Sequence, residues 1–115
     1  MSQNKSRNET SLLDAARAAK LVQEFISGME QTAWLEDIKT QSAVLYQITV
    51  LGEAVNRLSE DFCNQHSGVP WAAIVGMRNR IVHEYDDIDL EIIWETAQES
   101  VPEFLEAIEP LLSTP

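Results

Sequence analysis

The segment WAAIVGMRNRIVHEYDDID (residues 71–89) holds the chain's candidate functional residues, Arg78, Asn79, His83 and Tyr85. A guanidinium presents N–H donors in a fixed fork that matches anionic oxygens such as those of phosphate. An imidazole can gain or lose a proton near neutral pH. Anion binding and proton transfer are therefore the chemistry that these residue types could support.

Arg78 lies in the middle of an apolar stripe. At about 100° per residue on a helix, six residues fall within roughly 60° of it: Trp71, Ile74, Val75, Ile81, Val82 and Tyr85. A buried guanidinium without a partner is very costly. Three explanations stay open: an ion pair within the chain, with Glu53 as the candidate partner; a position at a subunit interface; or a solvated cleft that binds an anion.

The opposite side of the same predicted helix carries Gly76, Asn79, Arg80 and His83. A glycine inside a helix costs about 1 kcal/mol relative to alanine, and here it suggests close approach by another chain or a ligand. His83 lies roughly 140° from Arg78 on an ideal helix. The two side chains could meet through the length of the arginine, through a helix distortion, or across a twofold axis that adds a second copy.

Helices are predicted along most of the chain, and no strand pattern is present. The first is expected to run from a capping box of Ser11 and Asp14 to Gly28, followed by a short segment near Thr32 with Trp34 and Leu35 facing inward. The apolar spacing predicts one long helix over residues 38–65, whose buried seam is Val44, Ile48, Leu51, Val55, Leu58 and Phe62.

Two further helices complete the prediction. Pro70 suits the first turn of the helix that carries Arg78. The last helix is expected to be capped by Asp87 or Asp89 and to kink or break at Pro102, where Ser100 and Glu103 resemble a second capping box. Its predicted core face is Ile93, Ala97, Val101, Phe104 and Ile108. The predicted fold is all-α, a bundle of four to five helices.

Composition narrows the class of protein. The chain has 115 residues, 44% of them hydrophobic, which fits one globular domain; we expect a flexible lead-in over residues 1–10 and a single domain over 11–113. One cysteine excludes an internal disulfide, and no Cys/His pair has zinc spacing. No membrane span or signal peptide is evident, so a cytoplasmic location is expected.

The net charge of −11 argues against broad clamping of nucleic acid but allows a local basic site or a basic partner.

The segment RNRIVHEY fits the pattern RX4HXY and resembles the signature of HEPN domains, specifically the HepT toxins of HepT–MntA toxin–antitoxin systems. The flanking segments QSAVLYQITVLGEAVNRL, VPWAAIVGMRN and YDDIDLEIIWE are similar to the regions around that family's motif. The resemblance extends over about residues 12–112.

The resemblance implies a helical domain that dimerises around the motif helix and cleaves RNA without a metal or cofactor. The 2′-hydroxyl of the RNA would be the nucleophile, leaving a 2′,3′-cyclic phosphate. His83 would be the general acid/base, Arg78 the phosphate clamp, and Asn79 would orient them. Tyr85 would be the tyrosine to which a minimal nucleotidyltransferase antitoxin of MntA type transfers AMP.

Three further residues are expected to support the site: Glu53 and Asn56, one helical turn apart, and Arg80. The RNA substrate would be a tRNA or an mRNA. The alternative is a non-catalytic helical subunit that docks and regulates a nucleotidyltransferase, which the acidic net charge favours mildly. The complete set of Arg78, Asn79, His83 and Tyr85 favours the nuclease.

Overall fold

A computed structural model of the chain describes the backbone of residues 2–112 and the side chains of residues 5–112, and in this part of the chain no strand forms. The predicted all-α fold is confirmed. The helices are α1 (Ser2–Ile26), α2 (Gln31–Glu36), α3 (Ile38–Asn56), α4 (Glu60–Gln65), α5 (Trp71–His83), α6 (Leu90–Glu95) and α7 (Val101–Ile108). A π-helical turn, Thr96–Ser100, joins the last two.

Helix α3 is the central element, because it packs against α1 on one side and α5 on the other. Helix α1 also packs against α7, and α2 bridges α3 and α6. The predicted seam of α3 is confirmed at its buried positions Val44, Ile48, Leu51 and Val55. The predicted core face of the last helix is confirmed in full, with Ile93, Ala97, Val101, Phe104 and Ile108 all buried.

The predicted start of the first helix, at Ser11, is wrong. Helix α1 begins at Ser2, and Ser11 is buried in its middle, where it cannot cap. The expected lead-in is helical from residue 2 onward because Asn8 is anchored to the rest of the domain. Its side chain accepts a hydrogen bond from the Ser59 N–H (2.9 Å) and donates one to the Ser59 hydroxyl (3.1 Å). Met1 and Ser113, at the ends of the predicted segments, lie outside the described residues.

The single long helix predicted over residues 38–65 is two helices. Helix α3 ends at Asn56, and α4 starts after Ser59, whose backbone is extended and whose hydroxyl accepts from the Phe62 N–H. A serine N-cap of this kind starts a new helix and changes the chain direction. Leu58 is still buried, but it lies in the turn between the helices.

The short segment α2 orients only one of its two predicted core residues inward. Trp34 is fully buried, and its indole N–H donates to the Leu90 carbonyl at 2.9 Å. Leu35, the next residue, points to solvent, so its predicted inward packing is wrong. On a helix of six residues, neighbours about 100° apart cannot both face the same partner.

The C-terminal helical segment changes helix type before Pro102. Asp89 caps α6 by accepting from the Glu91 and Ile92 N–H groups, as predicted. Ser100 has helical backbone angles and makes no capping hydrogen bond, so the predicted second capping box is wrong. Proline at 102 lacks an N–H, and the wider turn at 96–100 accommodates this loss without ending the helical path.

Helices α3 and α5 are in close contact where Gly52 faces Arg78. A methyl group at Gly52 would lie 2.8 Å from the Arg78 Cγ and closer still to its Cβ. No side chain larger than hydrogen fits there, since such contacts are far shorter than van der Waals distance. The missing side chain of Gly52 is therefore what lets the stem of Arg78 lie against the backbone of α3.

No helix among the described residues combines the length and the apolar character that a membrane crossing requires.

We predict that Asn8→Ala lowers the free energy of unfolding by about 1–2 kcal/mol, because the Ser59 N–H loses its acceptor in a half-buried site. Urea unfolding followed by circular dichroism measures this. The exposed Asn64→Ala is the control and is expected to change stability by less than about 0.5 kcal/mol. Equal stability of the two variants would contradict an anchoring role for Asn8.

We predict that Gly52→Ala destabilises the protein by about 1–3 kcal/mol, because the added methyl overlaps the Arg78 stem. Gly76→Ala is the matched control: Gly76 is also inside a helix, but nothing of the described chain lies within 4 Å of a Cβ there. That control is expected to gain up to about 1 kcal/mol when unfolding is measured on the monomer. Urea unfolding of both variants tests the pair, and a Gly52→Ala protein as stable as wild type would contradict the close packing.

Candidate functional site

Arg78 is held at the junction of α3 and α5 by two hydrogen bonds. One terminal nitrogen, Nη1, donates to the Asn79 side-chain oxygen at 2.7 Å, and the other, Nη2, contacts the Glu53 carboxylate at 3.3 Å. The ion pair that the sequence suggested with Glu53 is thus present. Both bonds restrict where the guanidinium can point.

The ion pair between Arg78 and Glu53 lies at the surface. The Arg78 side chain is 26% exposed and that of Glu53 is 48% exposed. Solvated pairs of this kind contribute about 0–1 kcal/mol, so an anionic ligand can replace Glu53 at little cost. The Arg78 guanidinium therefore has a defined position and a weakly held counter-charge.

The Nε atom of Arg78 is buried and bonds to no acceptor among the described residues. A buried N–H that is left unpaired costs about 1–3 kcal/mol. This atom sits on the stem that packs against Gly52. The close packing therefore keeps the arginine in place even though one of its donors is unsatisfied.

Only the first half of the apolar stripe around Arg78 is buried. Trp71, Ile74 and Ile81 are core residues, whereas Val82 is 46% exposed and Tyr85 is 64% exposed. The apolar stripe that the sequence predicts is thus buried only in part, and Val82 and Tyr85 lie outside the core. Helices α3 and α5 run antiparallel, and beyond Ile81 their surfaces separate into an open groove instead of closing.

His83 and Arg78 are not brought together within one chain. His83 is the last residue of α5 and is exposed. Helix α5 is regular from Trp71 to His83, so the predicted angle of about 140° between the two side chains stands. Neither a distortion nor a hydrogen bond within the described residues joins them. Convergence of the two side chains across a second copy therefore stays a prediction.

The remaining predicted site residues differ in whether they contact Arg78. Asn79 bonds to it directly. Asn56 is exposed on α3, one turn beyond Glu53, and forms no hydrogen bond with Arg78. Arg80 is exposed in the last turn of α5, without an ion pair among the described residues. The two are near the site but do not position the guanidinium.

Gly76 lies on the exposed face of α5, flanked by the exposed Ala72 and Ala73. Nothing of the described chain approaches the position of its missing Cβ. Close contact with another part of the described chain therefore does not explain this glycine, and the three small residues share an exposed face of α5.

Among residues 5–112, no three His, Cys, Asp or Glu side chains are placed to hold a metal ion. Cys63 is half-buried, and burial raises the pKa of its thiol. A thiol with a raised pKa is a poor nucleophile and a poor metal ligand at neutral pH. Cys63 is therefore a packing residue.

Two residues of this region were not predicted from the sequence. Gly52 precedes Glu53 in the segment LGEA, and its position beside the seam of α3 was the available signal. Tyr46 lies two helical turns before Glu53 on the same face of α3, and it is 66% exposed. Helical spacing places Tyr46 on that face, but exposure of so large an aromatic residue is visible only in the structure.

Comparison with known proteins identifies the family. The family described as "Ribonuclease HepT-like" matches residues 15–111. The chain is 37% identical over 101 residues to "Putative RNase MJ0127" of Methanocaldococcus jannaschii, covering 88% of this chain and 84% of that protein.

Other relatives are similar over nearly the same region. "Probable ribonuclease HepT" of Thermococcus cleftensis is 34% identical over 91 residues, covering 79% of this chain and 83% of that protein. "Putative RNase TTE0752" of Caldanaerobacter subterraneus is 34% identical over 89 residues, covering 77% and 80%. No solved structure matches the chain. The family match over residues 15–111 and the identity to these relatives show that this chain belongs to the HepT-like family of the HEPN superfamily.

Proposed function

We propose that the protein is an endoribonuclease of the HEPN type that works without a metal ion. The observation that carries this proposal is the guanidinium of Arg78, held by Asn79 and Gly52 but only loosely paired with Glu53. A guanidinium held in this way can donate hydrogen bonds to a phosphate group. The names of the relatives, "Putative RNase MJ0127" and "Probable ribonuclease HepT", support RNA as the source of that phosphate.

The active form in this proposal is a homodimer around α5. A regular helix places the side chains of His83 and Arg78 about 140° apart, so in this proposal one copy supplies His83 and the other supplies Arg78. A twofold axis along the exposed face of α5 would place His83 of one copy near Arg78 of the other. The small residues Ala72, Ala73 and Gly76 on that face would allow the two helices to approach closely.

The proposed reaction is an internal transesterification. The RNA 2′-oxygen attacks the adjacent phosphorus, and the bond from phosphorus to the 5′-oxygen breaks. His83 takes the proton from the 2′-hydroxyl or delivers one to the departing 5′-oxygen. Arg78 donates hydrogen bonds to the phosphate oxygens, where negative charge accumulates in the transition state. The products are a 2′,3′-cyclic phosphate and a 5′-hydroxyl.

Asn79 has a positioning part in this mechanism. Its side-chain oxygen accepts from Nη1 of Arg78 and so fixes the plane of the guanidinium. A fixed fork loses less conformational freedom when it binds two phosphate oxygens. We therefore assign Asn79 to orientation of Arg78, with Glu53 as the resting counter-ion.

We further propose that a minimal nucleotidyltransferase antitoxin switches this ribonuclease off, which makes the protein a toxin of a toxin–antitoxin pair. The Tyr85 hydroxyl would attack the α-phosphate of ATP and release pyrophosphate, leaving AMP on the tyrosine. Tyr85 is 64% exposed in the turn after α5, so its hydroxyl is accessible to a second protein. The added adenylate would place a bulky anion beside Arg78 and block the substrate.

The net charge of −11 sets a limit on how the substrate binds. Broad contact with an RNA backbone would be repelled, so recognition has to rest on a few local groups around Arg78. A cytoplasmic RNA, such as a tRNA, is the proposed substrate. The same acidic charge is the observation that favours the second candidate function, a non-catalytic subunit that docks a nucleotidyltransferase.

We predict that the purified protein cleaves total RNA in EDTA and that His83→Ala lowers the rate by about 100-fold or more, because general acid/base catalysis contributes roughly that much. Mapping of product ends is expected to show 2′,3′-cyclic phosphate and 5′-hydroxyl groups. His66→Ala changes the chain's other histidine and is expected to retain the activity. Cleavage that needs Mg²⁺, or that survives in His83→Ala, would overturn the mechanism, and no cleavage by wild type would favour the docking subunit.

We predict that a minimal nucleotidyltransferase of MntA type transfers AMP from ATP to the wild type but not to Tyr85→Phe. Mass spectrometry of the intact chain would detect the added adenylate. Tyr46→Phe removes the other tyrosine hydroxyl and is expected to remain a substrate of the transferase. Modification of Tyr85→Phe at another residue, or full ribonuclease activity of the adenylated protein, would contradict the proposed regulation.

A further inference from the structure

A groove of about 400 Å³ opens between α3 and α5 beyond Arg78. Its walls are the apolar side chains of Leu45, Ile81 and Val82, and the rings of Tyr46 and Tyr85 lie at its sides. Ser42 and Thr49 complete the lining, so no charged residue faces the groove. In a chain with nineteen acidic side chains, this neutral lining is a local exception.

The two tyrosines are among the most exposed large hydrophobic residues of the described chain. Tyr46 is 66% and Tyr85 is 64% exposed, on opposite sides of the groove. Neither hydroxyl takes part in a hydrogen bond within the described residues. Exposed aromatic rings that are not needed for the fold characterise binding surfaces.

The groove is continuous with the candidate catalytic residues. Tyr85 belongs to both, and Val82 follows Arg78 by one helical turn, a rise of about 6 Å. A ligand whose phosphate lies on Arg78 can therefore extend a neighbouring group into the groove. That group has to be uncharged, flat enough to pass between α3 and α5, and suited to aromatic contact.

We propose that this groove binds one unpaired nucleobase of the RNA substrate, next to the phosphate on Arg78, with Tyr46 as the stacking partner. The inference rests on the proposed ribonuclease function and adds a specificity site to it. Sequence-tolerant binding of single-stranded RNA relies on base stacking against aromatic side chains. The groove volume lies in the range of small-ligand sites, about 300–1,000 Å³.

The polar groups at the groove fit this ligand. The Thr49 hydroxyl donates to the Leu45 carbonyl, so its one donor is already used. The hydroxyls of Ser42 and Tyr46 are available to bond the edge of a base. A neutral site that combines ring stacking with two hydroxyls also compensates for the acidic net charge, since binding there does not depend on phosphate neutralisation.

The test measures RNA affinity separately from cleavage. Fluorescence anisotropy would follow labelled oligoadenylate, oligouridylate, oligocytidylate and a mixed-sequence RNA bound to the His83→Ala protein. Adding Tyr46→Ala is expected to weaken binding about 10- to 100-fold, whereas Tyr46→Phe and Tyr46→Trp stay within about threefold. Leu13→Ala, an exposed apolar residue on α1, is the matched control and is expected to leave affinity unchanged.

A second readout separates stacking from a general structural effect. In the active protein, Tyr46→Ala is expected to raise KM for RNA and to change which bases flank the cleavage sites, with kcat retained at saturating RNA. Sedimentation velocity of the same variant is expected to match wild type.

Three outcomes would decide against the inference. Unchanged affinity and unchanged cleavage sites in Tyr46→Ala would overturn it while leaving the ribonuclease proposal intact. Loss of oligomerisation in Tyr46→Ala would show that the groove receives a second copy of the chain instead of a base. Absence of RNA binding by the His83→Ala protein itself would overturn both this inference and the proposed function.

Discussion

The contact between Gly52 and Arg78 is the constraint on which the site depends. Two helices can enclose an arginine stem at their closest approach only if one of them lacks a side chain at that point. Gly52 meets this requirement on α3, and the arginine on α5 then lies against a backbone. The guanidinium emerges at the edge of the seam, where Asn79 and Glu53 hold its terminal nitrogens.

Burying apolar surface and keeping a charged group accessible to solvent usually conflict at one place in a fold, and this arrangement provides both. The α3–α5 seam contributes apolar burial to the bundle, while Arg78 keeps a charged group within reach of solvent. The unpaired Nε atom is a local cost of the arrangement. On the Gly52 side of the arginine, the side chains between the helices are buried. Beyond Ile81 the helices separate, and the surface between them is exposed and neutral.

The charge distribution makes the function that we propose physically consistent. A chain with a net charge of −11 is poorly suited to bind RNA along its whole surface. It can still bind RNA through one well-placed arginine and a neutral groove, if another copy supplies the histidine. The same local dependence explains why adding one adenylate at Tyr85 would suffice as a switch: a single new anion competes for a single cation.

Much of this protein follows from its sequence. Helical periodicity identified the seam of α3 and the whole core face of the last helix, because burial of apolar area dominates at those positions. Angular reasoning along α5 placed Arg78 in the apolar stripe, and the cost of burying its charge without a partner led to Glu53 as the candidate, which the ion pair confirms. The motif and its flanks gave the resemblance to the family that the match over residues 15–111 confirms. The helical periodicity is local, repeating every three or four residues, so the chain order alone carries it.

Other features depend on contacts between segments that are far apart in the chain. The extension of α1 to Ser2 depends on the hydrogen bond between Asn8 and Ser59. The break in the helix after Asn56 depends on the N-cap that Ser59 provides for α4. Helices α3 and α5 separate beyond Ile81. Val82 and Tyr85 are therefore exposed, and the groove that includes Tyr46 forms there. Periodicity defines which residues share a helix face, but only the packing of one helix on another decides how far that face stays covered.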